Sequence, residues 1–439
     1  MEYLGVEKAI LRRGVEWDID PTLDRINKLM DLLGQPQRAY PVVHITGTNG
    51  KSSTARMVDT LLRERNLRVG RFTSPHLSSM RERITVDGEP LDEERFVQVY
   101  EDVLPYLELV DQQHGRLSFF ETLTAMAYAA FADAPVDVAV VEVGMGGTWD
   151  STNVADGTVA VVTPISLDHM AYLGPDIEAI AREKAGIIKP GATAVLAQQP
   201  LGVAEILLRR AAEIGATVAR EGLEFGVVQR ELAMGGQMVR LQGLKGVYDE
   251  VFLPLYGQHQ AGNAACALAA VETLTAGDDP LDGDLVRNAF AQVSSPGRLE
   301  VVRRGPTVLV DAAHNPGAVE SIVEALEESF GFERLIGVVA VMADKDVAGV
   351  LELLEPVMAE IVVTRNSSPR SMEVDELRSL AEDIFGAERV HVAARLDDAI
   401  DTAIGLAEDA GEFSGSGVLI TGSVVTAGDA RTLLRAESE

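Results

Sequence analysis

A glycine-rich segment, VVHITGTNGKSS at positions 42–53, joins a short apolar run to an amphipathic stretch. Glycines let backbone N–H groups approach phosphate oxygens, and a helix that follows offers its positive N-terminus. Lys51 adds a mobile charge for the β- and γ-phosphates of a nucleotide. The general eight-residue pattern requires glycine where Ile45 stands, so this is a shortened variant. The alternative, a chance Gly-Asn turn followed by Lys-Ser, explains neither flanking element, and we therefore predict a phosphate loop.

Three further segments place polar side chains at the ends of predicted strands or a few residues beyond them. Ser74 lies in RFTSPHL, where its hydroxyl could bind Mg²⁺ or simply form a turn. Glu142 ends the apolar run VAVVE, and a buried carboxylate needs a metal, a core cation or hydrogen-bond donors. His169 in ISLDH could serve a second Mg²⁺ or cap the next helix. Together with the phosphate loop they indicate a Mg²⁺-nucleotide site.

Short Val- and Ile-rich runs alternate with longer amphipathic segments, which is typical of buried parallel strands joined by helices. Ligands of such sheets bind outside the carboxyl ends of the strands, where each motif above begins. The segment 225–255 instead resembles hairpin strands with a Gly-Gly turn, an antiparallel addition. In the first part of the chain the predicted strands are 41–45, 69–72, 136–143, 159–164 and 193–197.

The segment SSPGR at positions 294–298 has the composition of a linker and follows a predicted helix at 260–274. Beyond it, strands are predicted at 307–310, 335–341, 361–364 and 417–421. The predicted fold class is thus α/β: a P-loop NTPase-type, mostly parallel sheet domain over residues 1–294, followed by a smaller Rossmann-like α/β domain over residues 295–439.

The composition excludes several classes of protein. Of 439 residues, 68 are acidic and 38 basic, and the net charge of -30 opposes binding to nucleic acid or to anionic membranes. No apolar run approaches the length of about 20 residues that a membrane helix needs, and the N-terminus lacks a secretory signal. The lone Cys266 lies in an alanine-rich run, as expected of helix packing. We expect a cytoplasmic monomer that acts on small molecules.

The order of the motifs GTNGK, SPHL, EVGMGG, DSTN, LDH, REKAGI, PGRLE, DAAHNP and DKD is similar to the Mur ligase superfamily, and to its folylpolyglutamate synthase and dihydrofolate synthase branch. The resemblance covers nearly the whole chain. It implies an ATP-dependent acid–amino-acid ligase that adds L-glutamate to the γ-carboxyl of tetrahydrofolate and its polyglutamates. It leaves open whether dihydropteroate is also an acceptor.

The same resemblance implies roles for individual residues. Ser74 and Glu142 would hold the first Mg²⁺ and His169 the second, while Lys51, Lys184 and His169 would serve catalysis. Lys184 would be carboxylated by CO₂, and Lys345 and Asp346 would lie near the incoming glutamate. The ATP contacts would be Thr48, Asn49, Gly50, Lys51, Ser52, Asn263, Arg298, Asp311 and His314. The folate or pteroate pocket would be lined by Asp20, Pro21, Thr22, Leu23, Ser118, Phe119, Phe120, Glu121, Thr148, Trp149 and Asp150.

The chain departs from the family pattern at two positions. Ser52 replaces a glycine found in many members of this branch, and a small hydroxyl residue still fits the loop. Thr148 stands where the family usually has arginine. A charged hydrogen bond is worth about 1.5–3 kcal/mol, so this replacement bears on the affinity and choice of the acceptor.

The implied mechanism is attack of a substrate carboxylate on the γ-phosphate of ATP, which gives an acyl phosphate that the amine of glutamate then attacks. Closure of two domains around ATP would exclude water. One alternative is a cell-wall Mur ligase, but only 46 residues precede Gly47, too few for a sugar-nucleotide domain. Another is a non-catalytic nucleotide-binding switch, which would not need Ser74, Glu142, His169 and Lys184.

Overall fold

The computed structural model describes residues 2–14, 20–409 and 415–436. Contacts between Cα atoms divide the chain into two compact units. The first comprises Met1–Glu231, Met238–Pro254 and Ala261–Val293. The second comprises Leu232–Gln237, Leu255–Gln260 and Ser294–Glu439. Each unit has its own sheet and its own hydrophobic core.

The strands follow the predicted apolar runs closely. Those of the large sheet are β1 Val42–Thr46, β2 Val69–Phe72, β3 Ile84–Val86, β4 Glu89–Pro90, β5 Val138–Glu142, β6 Val159–Val162, β7 Thr193–Leu196 and β8 Thr217–Arg220. Those of a separate three-stranded sheet are β9 Gly226–Ala233, β10 Gly236–Gln242 and β11 Val247–Leu253. Those of the last sheet are β12 Glu300–Arg304, β13 Thr307–Val310, β14 Arg334–Val339, β15 Glu360–Val363, β16 Val390–Val392 and β17 Ser416–Thr421.

Helices connect these strands. The first group is α1 Tyr3–Leu11, α2 Asp24–Leu32, α3 Lys51–Glu64, α4 Glu93–His114, α5 Phe119–Asp133, α6 Met170–Leu173, α7 Ile177–Lys184, α8 Leu201–Ile214, α9 Gln258–Thr273 and α10 Gly283–Ala291. The second group is α11 Pro316–Ser329, α12 Val347–Leu354, α13 Val374–Phe385, α14 Leu396–Glu408 and α15 Val424–Ala436. None of the helices in the part of the chain that the structure describes is long and apolar enough to cross a membrane.

The large sheet has the order β4-β3-β2-β5-β1-β6-β7-β8. Strands β2, β5, β1, β6, β7 and β8 are parallel, and β3 and β4 add an antiparallel edge. Every residue of β1 and β5 is buried, as expected for central strands covered on both faces. Because β2, β5, β1 and β6 are neighbours, the loops that follow them meet at one edge of the sheet.

The sheet of the second unit has the order β12-β13-β17-β14-β15-β16. Strands β13, β17, β14, β15 and β16 are parallel, and β12 pairs antiparallel with β13. Helices intervene between the parallel strands along the chain, which is the Rossmann-like pattern. The predicted α/β fold class, with a larger sheet domain followed by a smaller one, is confirmed.

Candidate active site

The phosphate loop runs from the end of β1 to the start of α3, and two of its glycines have no room for a side chain. Gly47 has φ 142, and a Cβ there would lie 1.8 Å from Oγ1 of Thr163. Gly50 has φ 89, and a Cβ there would lie 2.5 Å from Oδ1 of Asn263. The loop therefore rests on α9 and on Thr163, the residue after β6, and Asn263 lies beside it, where the sequence predicts a nucleotide contact.

Hydrogen bonds hold the loop in shape. The hydroxyl of Thr48 donates to the carbonyl oxygen of Ser166 at 3.0 Å and accepts from the Ser166 N–H at 3.0 Å. The Nζ of Lys51 donates to the carbonyl oxygens of Thr48 and Gly47, at 3.0 and 3.2 Å. The ammonium group thus lies over the loop itself, where an anionic ligand would meet it.

Glu142, at the end of β5, is 1% exposed. Its Oε1 accepts a hydrogen bond from the hydroxyl of Ser52 at 2.8 Å, and its Oε2 accepts one from the N–H of Ser74 at 3.2 Å. The predicted metal ligands Ser74 and Glu142 are therefore neighbours, and Ser52 brings the first turn of α3 to them. Arg71, the nearby core cation, instead donates to Asp59 at 2.6 Å.

The residues at this point suit Mg²⁺. No group of three or more His, Cys, Asp or Glu side chains in the described residues could hold a metal ion by itself. Mg²⁺ at nucleotide sites is usually bound through one or two carboxylates together with phosphate oxygens and water. A carboxylate and a serine beside a phosphate loop match that oxygen-donor set.

His169 lies on the loop after β6, at the residue before α6, with φ 50. Its Nε2 is 3.7 Å from Oδ2 of Asp168, and about a third of its side chain (32%) is exposed. Ser166, three residues earlier, is the partner of Thr48. The loop that carries His169 is therefore packed against the phosphate loop.

Lys184, the last residue of α7, is buried at 4% exposure and donates from Nζ to the carbonyl oxygen of Gly47 at 2.8 Å. Burial lowers the pKa of Lys184 to about 7, and the nearby charge of Lys51 acts in the same direction. The carboxylates of Asp168, Asp150 and Glu183 oppose the shift. A large fraction of this amine is therefore uncharged near neutral pH.

The loop 144–150 is fastened to the end of α7 that carries Lys184. The backbone N–H and the hydroxyl of Thr148 both donate to the carbonyl oxygen of Glu183 at 3.0 Å. The N–H of Trp149 donates to Oε1 of Glu183 at 3.2 Å. Asp150 is buried, accepts from the N–H groups of Met145 and Thr152, and has its pKa raised by burial. Thr148 and Asp150 thus stabilise the loop 144–150 through these hydrogen bonds.

Two of the predicted pocket segments meet at the start of α5. Ser118 and Glu121 form a capping box, in which each side chain accepts from the backbone N–H of the other, at 3.2 and 2.8 Å. Glu121 also pairs with Arg25 at 3.2 Å, and Arg25 pairs with Asp20 at 2.5 Å. Arg25 was missed in the sequence, because its partner Glu121 is 96 residues away.

The two phenylalanines of this turn have different surroundings. Phe119 is 3% exposed and packs below the guanidinium of Arg83, 5.2 Å from the ring centre. Phe120 is half-buried, with its ring centre 5.7 Å from that of Phe72. A Cβ on Gly144 would lie 2.4 Å from Cζ of Phe120, so the ring packs against the glycine two residues after Glu142. The predicted acceptor pocket therefore borders the predicted metal site.

Within the second unit, Asp311 follows β13 and is 2% exposed. Its oxygens accept from the N–H groups of Leu299 and Ala313 at 2.8 and 2.7 Å. Burial raises the pKa of Asp311, and the charge of Arg298 opposes that shift. Asp311 thereby fixes the turn that carries Arg298, so these two of the three predicted ATP contacts in this unit are neighbours.

The other predicted residues of this unit lie at helix starts. Nδ1 of His314 is 3.0 Å from the carbonyl oxygen of Ala312, just before α11. Asp346 caps α12 by accepting from the N–H of Gly349 at 3.0 Å, and Lys345 precedes it. These residues follow β13 and β14, at the carboxyl edge of the second sheet.

Two family comparisons cover most of the chain. The Mur ligase middle domain family matches residues 45–271, and the family described as Mur ligase, glutamate ligase domain matches residues 297–424. The chain therefore belongs to the Mur ligase family, a family of ATP-dependent ligases.

Individual relatives define the branch. The chain is 52% identical to the dihydrofolate synthase/folylpolyglutamate synthase of Mycobacterium tuberculosis, over 98% of this chain and 93% of that protein. It is 33% identical to the protein of the same name from Bacillus subtilis, over 96% of each. Folylpolyglutamate synthase and dihydrofolate synthase are thus the names of its relatives within the family.

Solved structures agree with this placement. The M. tuberculosis folylpolyglutamate synthase complexed with ADP superposes with a TM-score of 0.95 at 52% identity and covers 98% of both chains. A complex of a folylpolyglutamate synthase (FPGS) with AMPPCP and folate gives a TM-score of 0.84 at 31% identity, over 99% of this chain and 100% of that one. These complexes support ATP as the nucleotide that this fold binds.

Proposed function

We propose that this ligase joins the amine of L-glutamate to the γ-carboxyl of tetrahydrofolate and its polyglutamates, with ATP as the energy source. The observation that carries the proposal is the position of Phe120, which packs against Gly144 beside Glu142. An acceptor whose flat ring contacts this turn could extend its carboxylate toward the phosphate loop. The names of the relatives and the folate-bound FPGS complex support the same acceptor.

In the first step, an oxygen of the acceptor carboxylate attacks the γ-phosphorus of ATP, and ADP leaves. The N–H groups of the loop and the ammonium of Lys51 would offset the negative charge on the transferring oxygens. In the second step, the neutral amine of glutamate attacks the acyl carbon. The tetrahedral intermediate then collapses, phosphate leaves, the amine gives up a proton, and an amide forms.

Mg²⁺ is the metal that we propose for this site. Ser74 and Glu142 would hold a first ion together with phosphate oxygens, and His169 would serve a second. The bound ions would neutralise phosphate charge. Glu142 is already held in place by donors from Ser52 and Ser74, so its carboxylate is oriented before any ligand binds.

We also propose that Lys184 is carboxylated. In this reaction the uncharged Nζ attacks CO₂, an N–C bond forms, and the amine loses a proton to give a carbamate. Support comes from its burial and from its pKa of about 7, since the neutral amine is the nucleophile. A carbamate signal in ¹³C NMR with ¹³CO₂, present in the wild type and missing in Lys184→Met, would test it.

The deciding experiment measures ADP release in the presence of ATP, Mg²⁺ and L-glutamate. Three reactions are compared, with tetrahydrofolate, with dihydropteroate and without a pterin, and the products are identified by mass spectrometry. We expect ADP release that depends on both glutamate and tetrahydrofolate, with a gain of one glutamyl unit. The dihydropteroate arm shows whether that acceptor is also used. ATP binding without pterin-dependent turnover would contradict the proposed function and favour a nucleotide-binding switch.

The remaining expectations belong to the same proposal. Residues 295–439 would form the domain that binds glutamate. The chain would work as a monomer in the cytoplasm. It would act on small molecules and would not bind nucleic acid. The net charge of -30 supports the last point. Light scattering after size exclusion tests the monomer, with a mass near 47.1 kDa as the expected result.

A further inference from the structure

Arg25 joins two chain segments that the sequence treats separately. Its Nη1 lies 2.5 Å from Oδ2 of Asp20, and its Nη2 lies 3.2 Å from Oε2 of Glu121. Its Nε is 3.3 Å from both oxygens of Glu121. One guanidinium therefore binds two carboxylates, and such forked contacts fix the angle between the groups as well as their distance.

The side chains of Glu121, Arg25 and Asp20 become progressively more exposed to solvent. The side chain of Glu121 is 6% exposed, that of Arg25 is 13% exposed, and that of Asp20 is 64% exposed. Glu121 is already engaged in the capping box of α5, so its position is fixed by the helix. Arg25 thus connects a buried anchor on α5 to an exposed carboxylate at the start of segment 20–23.

The anchor lies next to the candidate acceptor pocket. Glu121 directly follows Phe120, whose ring packs against Gly144 and Phe72. Within the described ranges 2–14, 20–409 and 415–436, the polar contacts of Arg25 are with Asp20 and Glu121 and not with the phosphate loop. A change at Arg25 would therefore disturb the wall of the pocket while leaving the ATP site in place.

We propose that Arg25 is a positioning residue for the acceptor: by binding Asp20 and Glu121 together, it holds segment 20–23 against the first turn of α5 and so sets the affinity for the folate-type acceptor. This inference rests on the proposed function. It assigns Arg25 no contact with the reacting atoms.

The test compares Arg25→Met, Arg25→Lys, Asp20→Asn and the double variant Arg25→Met/Asp20→Asn with the wild type in acceptor KM, ATP KM, kcat and melting temperature. Without this charged contact inside the protein, binding of the acceptor would itself have to order segment 20–23, which corresponds to about 10-fold or more in acceptor affinity. We expect Arg25→Met to raise the acceptor KM by about that factor, with ATP KM and kcat nearly unchanged. Lysine should restore part of the affinity. Asp20→Asn should add little in the Arg25→Met background, because both act through one connection.

Arg389→Met is the matched control. Arg389 lies in the second unit, where it pairs with Glu355 at 2.5 Å and also donates to the carbonyl oxygens of Met358 and Ala359. Its loss should lower the melting temperature without changing the acceptor KM. If Arg25→Met behaves like this control, or raises ATP KM in parallel, Arg25 has only a structural role and the inference is overturned.

Equilibrium binding separates this inference from the proposed function. The Kd for tetrahydrofolate, measured by titration calorimetry with ADP present, requires no turnover. A wild type that binds tetrahydrofolate without forming product contradicts the proposed function, and the Kd of Arg25→Met still decides the role of Arg25. A wild type that neither binds nor glutamylates either pterin overturns both.

Discussion

The Nζ of Lys184 lies 2.8 Å from the carbonyl oxygen of Gly47, so the last residue of α7 contacts the first glycine of the phosphate loop. The two residues are 137 positions apart in the sequence. The contact places an amine with a pKa of about 7 beside a loop built for phosphate. A charge at this point is costly in the absence of an anion, and this cost has a measurable consequence for stability.

Lys184→Met should stabilise the protein most at low pH. Burial lowers the pKa of Lys184 from 10.5 to about 7, so between these values the unfolded chain binds a proton that the folded chain has released. The free energy of unfolding of the wild type therefore rises with pH across this window, and the penalty is fully present below pH 7. We expect an advantage for the variant on the order of a few kcal/mol at pH 6, shrinking toward pH 10.

Thermal unfolding in CO₂-free buffer at several pH values measures this difference. Lys8→Met, at an exposed position on α1, is the matched control and should show no pH trend. A constant difference between wild type and Lys184→Met from pH 6 to pH 10 would mean that Lys184 is not held with a lowered pKa.

Glu142→Gln should abolish the dependence of nucleotide binding on Mg²⁺. The amide keeps the shape of the side chain and one acceptor oxygen, but it removes the charge that a metal ion requires. Calorimetric titration with ATP, with and without Mg²⁺, should show a difference of at least about 10-fold for the wild type and little for the variant. Turnover should fall by about 100-fold or more, as for loss of a charge-stabilising group.

Ser52→Ala is the control for Glu142→Gln. It removes one hydrogen bond to Glu142 but leaves the carboxylate and the N–H of Ser74, so Mg²⁺ dependence should remain. If Glu142→Gln still binds ATP more tightly with Mg²⁺, Glu142 is not a metal ligand.

The strands were predictable because burial on both faces demands continuous apolar runs. Strand β2 has the bounds 69–72 that the sequence predicts, whereas β5, Val138–Glu142, is shorter than the predicted 136–143. The neighbourhood of Ser74 and Glu142 was also predictable. Ser74 follows β2 and Glu142 is the last residue of β5; these strands prove to be adjacent, and the carboxyl ends of parallel strands share an edge.

The supports of the site were not predictable in the same way. The contacts of Arg25 with Glu121, and of Lys184 with Gly47, depend on how helices pack across the sheet edge. Local spacing carries no information on such pairs, because their members lie far apart in the chain. A pattern of residue types along the sequence can therefore identify which residues perform chemistry. The residues that hold those side chains in position are found only from the packed structure.

Gly50→Ala should eliminate ATP binding through steric conflict rather than backbone strain alone. A Cβ at Gly50 would lie 2.5 Å from Oδ1 of Asn263, and φ is 89. Gly191→Ala is the matched control, since φ there is 78 and nothing lies within 4 Å of the added carbon. Both should lose about 1–2 kcal/mol from left-handed strain. Only Gly50→Ala should lose ATP affinity in a calorimetric titration, and equal affinities in the two variants would contradict this.

Thr148→Arg tests a position for which the family resemblance predicts an arginine. The side chain of Thr148 is exposed, so an arginine could extend from the loop without displacing the core. Its hydroxyl donates to the carbonyl oxygen of Glu183 at 3.0 Å, and this bond would be lost. The new guanidinium would attract the carboxylates of the acceptor, and we expect the acceptor KM to fall by about 10-fold.

Thr148→Val separates the two effects of that substitution. Valine has the shape of threonine but no hydroxyl, so it removes the side-chain hydrogen bond to Glu183, keeps the backbone one and adds no charge. It should lower the free energy of unfolding by about 1 kcal/mol and leave the acceptor KM close to that of the wild type. Steady-state kinetics with varied tetrahydrofolate compares the two variants. If Thr148→Arg and Thr148→Val have the same KM for tetrahydrofolate, the guanidinium does not contact a carboxylate of the acceptor. This position then does not determine acceptor affinity.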